Sequence, residues 1–176
     1  EGLGAAHIFG FAKVFEMLSS QYTSFYIAQM DADLSHDPDY IPPMIETLKT
    51  YEVVVGSRYA SSGSSDVREA LSRRLLSKFG NKSIKWISGV SVNDVTSGFK
   101  VFRSEALAQM DWDIIKCKGF GFQVEIAYQC HELGFKVYEF PIEFVDRING
   151  RSKMSMSIIL EALWKVFWVR IKSVLK

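Results

Sequence analysis

The run Phe25-Tyr26-Ile27-Ala28-Gln29-Met30 carries no charge and ends directly in Asp31-Ala32-Asp33. So short an apolar and aromatic stretch reads as a buried strand rather than a helix. Two carboxylates at its exit sit where an α/β sheet delivers ligands, just outside the carboxyl end of a strand. Side chains at i and i+2 of an extended chain point the same way, so Asp31 and Asp33 can reach one divalent cation. Such a cation would neutralise a diphosphate, which makes the strand exit a candidate for nucleotide-sugar chemistry. The competing use of these residues is structural. Asp caps helices and shapes turns, and Asp37-Pro38-Asp39 just downstream reads as a helix start.

The rest of the chain supplies the frame for such an exit. Ile8, Phe11, Ala12, Phe15 and Leu18 recur at helical spacing and predict a helix over Leu3 to Leu18. Pro42 and Pro43 suit the first turn of a helix running to Lys49, and Glu52-Val53-Val54-Val55-Gly56 is a β-branched second strand. Helix, strand, helix, strand in that order points to an α/β fold with a mostly parallel sheet. Further along, Val67 to Ser88 reads as helix, Phe99 to Arg103 as a short strand, and Phe122 to Leu133 as helix closed by Gly134. Lys136–Phe140 and Ile142–Asp146 alternate as strands, and Pro141 between them confines that stretch to an edge or a bend.

Charge is uneven although the formal net charge is only +1. From Arg147 to Lys176 seven basic residues face one acidic residue, Glu161, so the tail carries +6 and the remainder −5. Residues 154–176 are set apart from a catalytic domain over 1–153, because Leu160, Leu163, Trp164, Phe167, Ile171 and Val174 share one helical face. Its charges make it a poor bilayer-spanning segment. An apolar face with Trp, Lys and Arg suits a membrane interface, and packing on the same protein is an equal alternative. No nucleic-acid partner is expected. Cys117 and Cys130 lack metal-ligand spacing and read as reduced thiols. The chain opens without Met in mid-pattern and is expected to be a fragment.

Five segments in order carry a resemblance. They are Gly2-Leu3-Gly4-Ala5-Ala6, Met30-Asp31-Ala32-Asp33-Leu34-Ser35-His36-Asp37-Pro38, Val55-Gly56-Ser57-Arg58-Tyr59, Asp94-Val95-Thr96-Ser97-Gly98-Phe99, and Phe144-Val145-Asp146-Arg147 with Ser152-Lys153. Together they resemble the polyprenol-phosphate (dolichol-phosphate) mannose synthases, family 2 glycosyltransferases of GT-A fold. The resemblance implies that Asp31 and Asp33 hold Mg²⁺ or Mn²⁺ and the nucleotide diphosphate. Ser35 stands where some relatives place a third ligand, a glutamine. Gly4, Arg147 and Lys153 are implied on the donor side, with Arg147 closing on the diphosphate. Arg58, Arg73 and Ser77 are implied to hold the phosphate of the lipid acceptor, and guanidinium forks suit phosphate oxygens. Apart from the resemblance, Arg73 and Arg74 read as a solvated helix face, and Asp94 and Ser97 as the makers of a turn around Gly98. Glu125 is given no catalytic role.

The resemblance further implies a nucleotide-sugar donor, a polyprenyl-phosphate acceptor and a peripheral place on the cytoplasmic face of a membrane, with an anchoring subunit or domain as a possible partner. The family's opening strand, with its Pro-x-x-Asn-Glu pattern around the base, does not precede Gly2. The donor base is therefore open, and UDP-glucose stands as the alternative to GDP-mannose. A phosphatase with Asp31 as nucleophile and Asp33 as acid–base is a rival from another class, but no convincing lysine and acidic-ligand set accompanies it. A membrane-associated binding fragment without turnover is the non-enzymatic rival.

Overall fold

In the computed structural model, residues 2–60, 65–66, 71–115, 119 and 121–145 are described, without the side chains of 65, 72 and 73. Helix α1 spans Leu3–Leu18 and delivers the chain to strand β1, Tyr26–Gln29. A 3-10 turn over Pro38–Tyr40 is capped by Asp37, whose carboxylate accepts the Asp39 N–H at 2.9 Å, and leads into α2, Ile41–Thr47. Strand β2 is Val53–Ser57, β3 is Ser65–Asp66, and α3 is Leu71–Ser88. Strand β4, Lys100–Arg103, is followed by α4, Ser104–Ala108, and α5, Gly121–Glu132. Strands β5, Val137–Pro141, and β6, Glu143–Phe144, end the described chain.

The main sheet has the order β1-β4-β2-β5. Here the structure corrects the expected mostly parallel sheet. Strand β4 enters antiparallel between β1 and β2, pairing Gln29 with Lys100 on one side and Val55 with Lys100 on the other. Among the described residues only β2 and β5 pair in parallel within this sheet, from Val53–Val137 to Ser57–Pro141. Residue patterns report which face of a strand is buried and not which way it runs. Pro141 ends β5 at the sheet edge, where its missing N–H costs no ladder bond. Strands β3 and β6 form a separate parallel pair.

Two apolar layers cover the sheet. On one face Phe11, Ile27, Val55, Phe102, Phe122 and Ile126 join α1 and α5 to it. On the other, Met44, Leu48, Val54, Phe99, Val101 and Ile142 join α2. Each fully buried side chain of this size contributes about 1.5–3 kcal/mol. Gly134 ends α5 at φ 70°, the left-handed cap expected of it.

Contacts along α1 fix its direction. Phe15 meets Phe25 just before β1, while His7 stacks on Phe122 in the first turn of α5 at 5.2 Å. The N-termini of α1 and α5 therefore lie at the same end of the sheet, together with the carboxyl end of β1.

Candidate active site at the carboxyl end of β1

Strand β1 stops at Gln29, so Asp31 lies just beyond the strand and Asp33 in the bend that follows, neither on its extended part. What turns the second carboxylate is a left-handed residue between Asp33 and Ser35: Leu34 has φ 64°. A branched-chain L-residue there is uncommon, and such strain gathers at functional sites. The turn lets Asp33 Oδ1 accept both the Ser35 N–H at 3.1 Å and the Ser35 hydroxyl at 2.5 Å. Ser35, buried, thus orients Asp33.

Asp31 is held from two sides. Its backbone N–H donates to Nδ1 of buried His36 at 3.2 Å, and burial lowers the His36 pKa, which keeps Nδ1 available as an acceptor. Its carboxylate rests against Gly98, where an added Cβ would lie 3.0 Å from Oδ1 and 3.2 Å from Oδ2. The loop bearing Gly98 is in turn fixed from beneath. Gln29 donates its amide to the Gly98 carbonyl at 3.1 Å, and Lys100, its cross-strand partner, donates to the Ser97 carbonyl and to Gln123 Oε1 at 2.7 Å. Lys100 is a fully buried ammonium, and desolvation brings its pKa down to about 8.

A second network lies beside this one. Arg58 grips Asp94 as a fork, Nε to Oδ2 at 2.8 Å and Nη2 to Oδ1 at 2.6 Å, and its backbone N–H adds a third bond to Oδ2 at 2.9 Å. Burial alone would raise the Asp94 pKa, but the Arg58 charge and hydrogen bonds outweigh it and hold the carboxyl below its usual range. Arg58 Nη2 also reaches the Thr96 hydroxyl at 3.0 Å, and the same hydroxyl accepts from Asn81 on α3 at 3.0 Å. Ser77, one turn before Asn81, accepts the Tyr59 hydroxyl at 3.0 Å. Among the described residues Arg58 and Ser77 are thus joined only through Thr96, Asn81 and Tyr59, and the Arg58 fork is spent on Asp94. Glu139 supports the loop from β5, with Oε1 accepting Ser57 Oγ and the Asp94 N–H and Oε2 accepting the Asn93 N–H and side-chain amide. Ser97 donates its hydroxyl to the Gly56 carbonyl at 2.6 Å and its N–H to the Asp94 carbonyl at 3.3 Å, so Asp94 and Ser97 bound the turn that leads into Gly98.

Gly4 is buried in the first turn of α1, at the site end of the sheet. Asp146, Arg147, Lys153 and residues 154–176, expected as an amphipathic helix, lie outside the described residues, as does the side chain of Arg73. Gln29, His36, Lys100 and Glu139 are the residues that sequence reasoning missed. A lysine inside a short apolar strand was the one available signal, for a charge in such a run is buried only with partners.

The donor set fits a hard cation. Among the described residues no cluster of three or more His, Cys, Asp or Glu side chains could hold a metal. Two carboxylates are nevertheless what Mg²⁺ asks for when substrate phosphates and water supply its remaining ligands.

Residues 1–110 match the profile of glycosyl transferase family 2. The chain is 36% identical over 166 residues to an undecaprenyl-phosphate mannosyltransferase of Micrococcus luteus, covering 94% of this chain and 66% of that protein. It is 37% identical over 167 residues to a polyprenol monophosphomannose synthase of Mycolicibacterium smegmatis, covering 94% of this chain and 60% of that one. The chain therefore spans less than two thirds of the length of these relatives.

Proposed function

This chain belongs to glycosyl transferase family 2, and we propose that it transfers mannose from GDP-mannose to a polyprenyl phosphate on a GT-A fold, with inversion and with Mg²⁺ or Mn²⁺. The observation that carries the proposal is the pair Asp31 and Asp33 beyond β1, one carboxylate seated on Gly98 and the other held by the hydrogen bonds of Ser35. Both relatives are named for mannose and for a polyprenyl phosphate, which favours mannose over the glucose alternative. The guanine base of the donor rests on the resemblance alone.

In this proposal Asp31 and Asp33 hold the cation, which when bound would neutralise charge on the departing diphosphate. An oxygen of the acceptor phosphate forms the new bond to the anomeric carbon as the bond from that carbon to the donor diphosphate breaks. GDP departs, and one displacement inverts the centre. A phosphate monoester with a second pKa near ~6 is largely dianionic at neutral pH, so no protein base is required. The protein's task is placement. Arg58, Arg73 and Ser77 take the acceptor side. Gly4, Arg147 and Lys153 take the donor side, with Arg147 closing on the diphosphate. Ser35 acts through Asp33.

Among the described residues no helix is long and apolar enough to cross a membrane. A peripheral position on the cytoplasmic face, with a catalytic domain over 1–153 and the amphipathic segment 154–176 beside it, is part of the same proposal. A transfer assay with each donor and a polyprenyl phosphate tests it: mannose recovered on the lipid supports it, and glucose alone would replace it with the alternative.

A further inference from the structure

Helix α3 turns one row of side chains inward. Ser77, Asn81, Ile84 and Ser88 are buried, and Arg74, three residues before Ser77, begins the same row. The sequence puts Arg74 on a solvated face, but in the structure its side chain is half-buried and its Nε is wholly so. Nη1 donates to the Asp66 carbonyl of β3 at 3.4 Å, long for such a bond. Among the described residues Nε has no hydrogen-bond partner, and neither has Nη2. Nε and Nη2 form the edge of the guanidinium that Arg58 closes on Asp94. In Arg74 the same fork is open.

An open fork in a buried position calls for an anion. A buried N–H without a partner has given up its hydration for nothing, and Nε with Nη2 matches two oxygens of one carboxylate or phosphate. The surroundings decide which. Ser77, one helical turn on, accepts the Tyr59 hydroxyl at 3.0 Å. Asp66, whose carbonyl Arg74 reaches, pairs with Phe144, and the Phe144 ring lies 5.1 Å from the Arg58 guanidinium. Arg74 therefore borders the network of Arg58, Tyr59 and Ser77. Within that network the Arg58 charge is already matched by Asp94, so it brings little net attraction to an incoming anion. The nearest carboxylate of the chain is that of Asp66, whose charge acts on Arg58 and Tyr59, but Arg74 meets Asp66 at its carbonyl. We propose that Arg74 takes the phosphate of the polyprenyl-phosphate acceptor, with Nε and Nη2 donating to two of its oxygens, the Tyr59 and Ser77 hydroxyls beside it, and Arg58 framing the pocket through Asp94. The inference rests on the lipid-phosphate reading of the function and names the residue that supplies the uncompensated charge.

The test uses the 176-residue chain and a short, water-soluble polyprenyl phosphate, titrated by calorimetry in the presence of GDP and Mn²⁺. Arg74→Gln should weaken its binding roughly tenfold to a hundredfold, the range expected when charge-assisted hydrogen bonds are lost. Arg74→Lys keeps the charge without the fork and should recover only part of that loss. Lys78→Gln removes the same charge from the exposed side of α3, where solvent and salt screen it, and should change binding by less than about twofold. GDP with Mn²⁺ should bind Arg74→Gln as it binds the parent, and the melting temperature should hold, because the side chain removed was incompletely paired. Unchanged binding of the lipid phosphate in Arg74→Gln would overturn the proposal, as would a loss confined to Arg73→Gln. An equal loss in Lys78→Gln would reduce the effect to the general field of α3 and overturn it too. Weaker GDP binding in Arg74→Gln would place the anion on the donor side instead. A melting temperature that falls in Arg74→Gln and recovers in Arg74→Lys together with binding would make the residue a tie to β3 and not a phosphate ligand. If the parent chain neither binds the short polyprenyl phosphate nor transfers mannose to it, the functional reading fails and takes this inference with it. If the parent does both and Arg74→Gln matches it, Arg74 alone is refuted.

Discussion

Gly98→Ala is a one-carbon perturbation aimed at the Asp31 carboxylate. The added Cβ would stand 3.0 Å from Oδ1, 3.2 Å from Oδ2 and 3.3 Å from Cγ, all inside ordinary van der Waals contact. Something must give by a few tenths of an ångström, and the carboxylate, the free end of a side chain, gives more readily than the loop. The loop is tied by Gln29 at the Gly98 carbonyl and by Lys100 at the Ser97 carbonyl. Fold stability should therefore move by no more than about 1 kcal/mol, since lost unfolded-chain entropy stabilises by ~0.4–1 kcal/mol and offsets the crowding. Activity should respond differently. Productive constellations tolerate about 0.5 Å, and a 1 Å misplacement can cost on the order of 10²-fold. A displacement of a few tenths predicts a loss of roughly tenfold in turnover, with weaker binding of Mn²⁺ in the presence of GDP. Calorimetric titration of Mn²⁺, a thermal melt and a transfer assay on the same preparation read all three quantities. A variant with unchanged Mn²⁺ affinity and turnover would refute the role given to the Gly98 seat. One that no longer folds would show that the loop, not the carboxylate, is the softer partner.

Asp94→Ala should cost about 3–5 kcal/mol in urea denaturation, because it strands the buried Arg58 guanidinium. A cost below about 1 kcal/mol would mean that the fork is solvated. The Asp94 carboxyl sits below its usual range, so the stabilisation it contributes is present above the ordinary carboxylate pKa and lost only as pH falls through the lower folded value. Arg58→Lys should break the fork and weaken use of the acceptor more than binding of the donor, read from the apparent affinities of each. Lys100 contributes a cost where Asp94 contributes a gain, although stability rises with pH for both. Its folded pKa near 8 lies under its unfolded value near ~10.4, so burying the charge costs stability below pH 8 and the cost fades between these values. Denaturation midpoints should rise over that window by the equivalent of up to about 3 kcal/mol, and Lys100→Met should flatten the rise. A slope unchanged in Lys100→Met would assign it to another group.

Much of the frame was legible because it depends on local pattern. The apolar spacing from Ile8 to Leu18 gave the bounds of α1, and the β-branched run Val53-Val54-Val55 gave β2. The Asp31 and Asp33 exit was visible for the same reason, a short strand followed at once by charge. What escaped depended on partners distant in sequence. Nothing local in Phe99–Arg103 says that β4 runs against β1 and β2. Arg58 could be placed at a strand end, but its fork with Asp94 joins residues 36 apart, and Glu139 meets Ser57 across 82. The expected extended chain leading straight into both aspartates was also absent, because β1 ends at Gln29, one residue before Met30, and Leu34 at φ 64° turns the chain after Asp33.

The most direct test of the central claim is recovery of radiolabelled mannose on a polyprenyl phosphate after incubation with GDP-mannose, with Mg²⁺ or with EDTA, for the parent chain and for Asp33→Ala. Labelled lipid that forms with Mg²⁺, vanishes with EDTA and is absent in a folded Asp33→Ala is the predicted result. Transfer indifferent to EDTA, or preserved in Asp33→Ala, would contradict the assignment of the strand exit as the metal and diphosphate site.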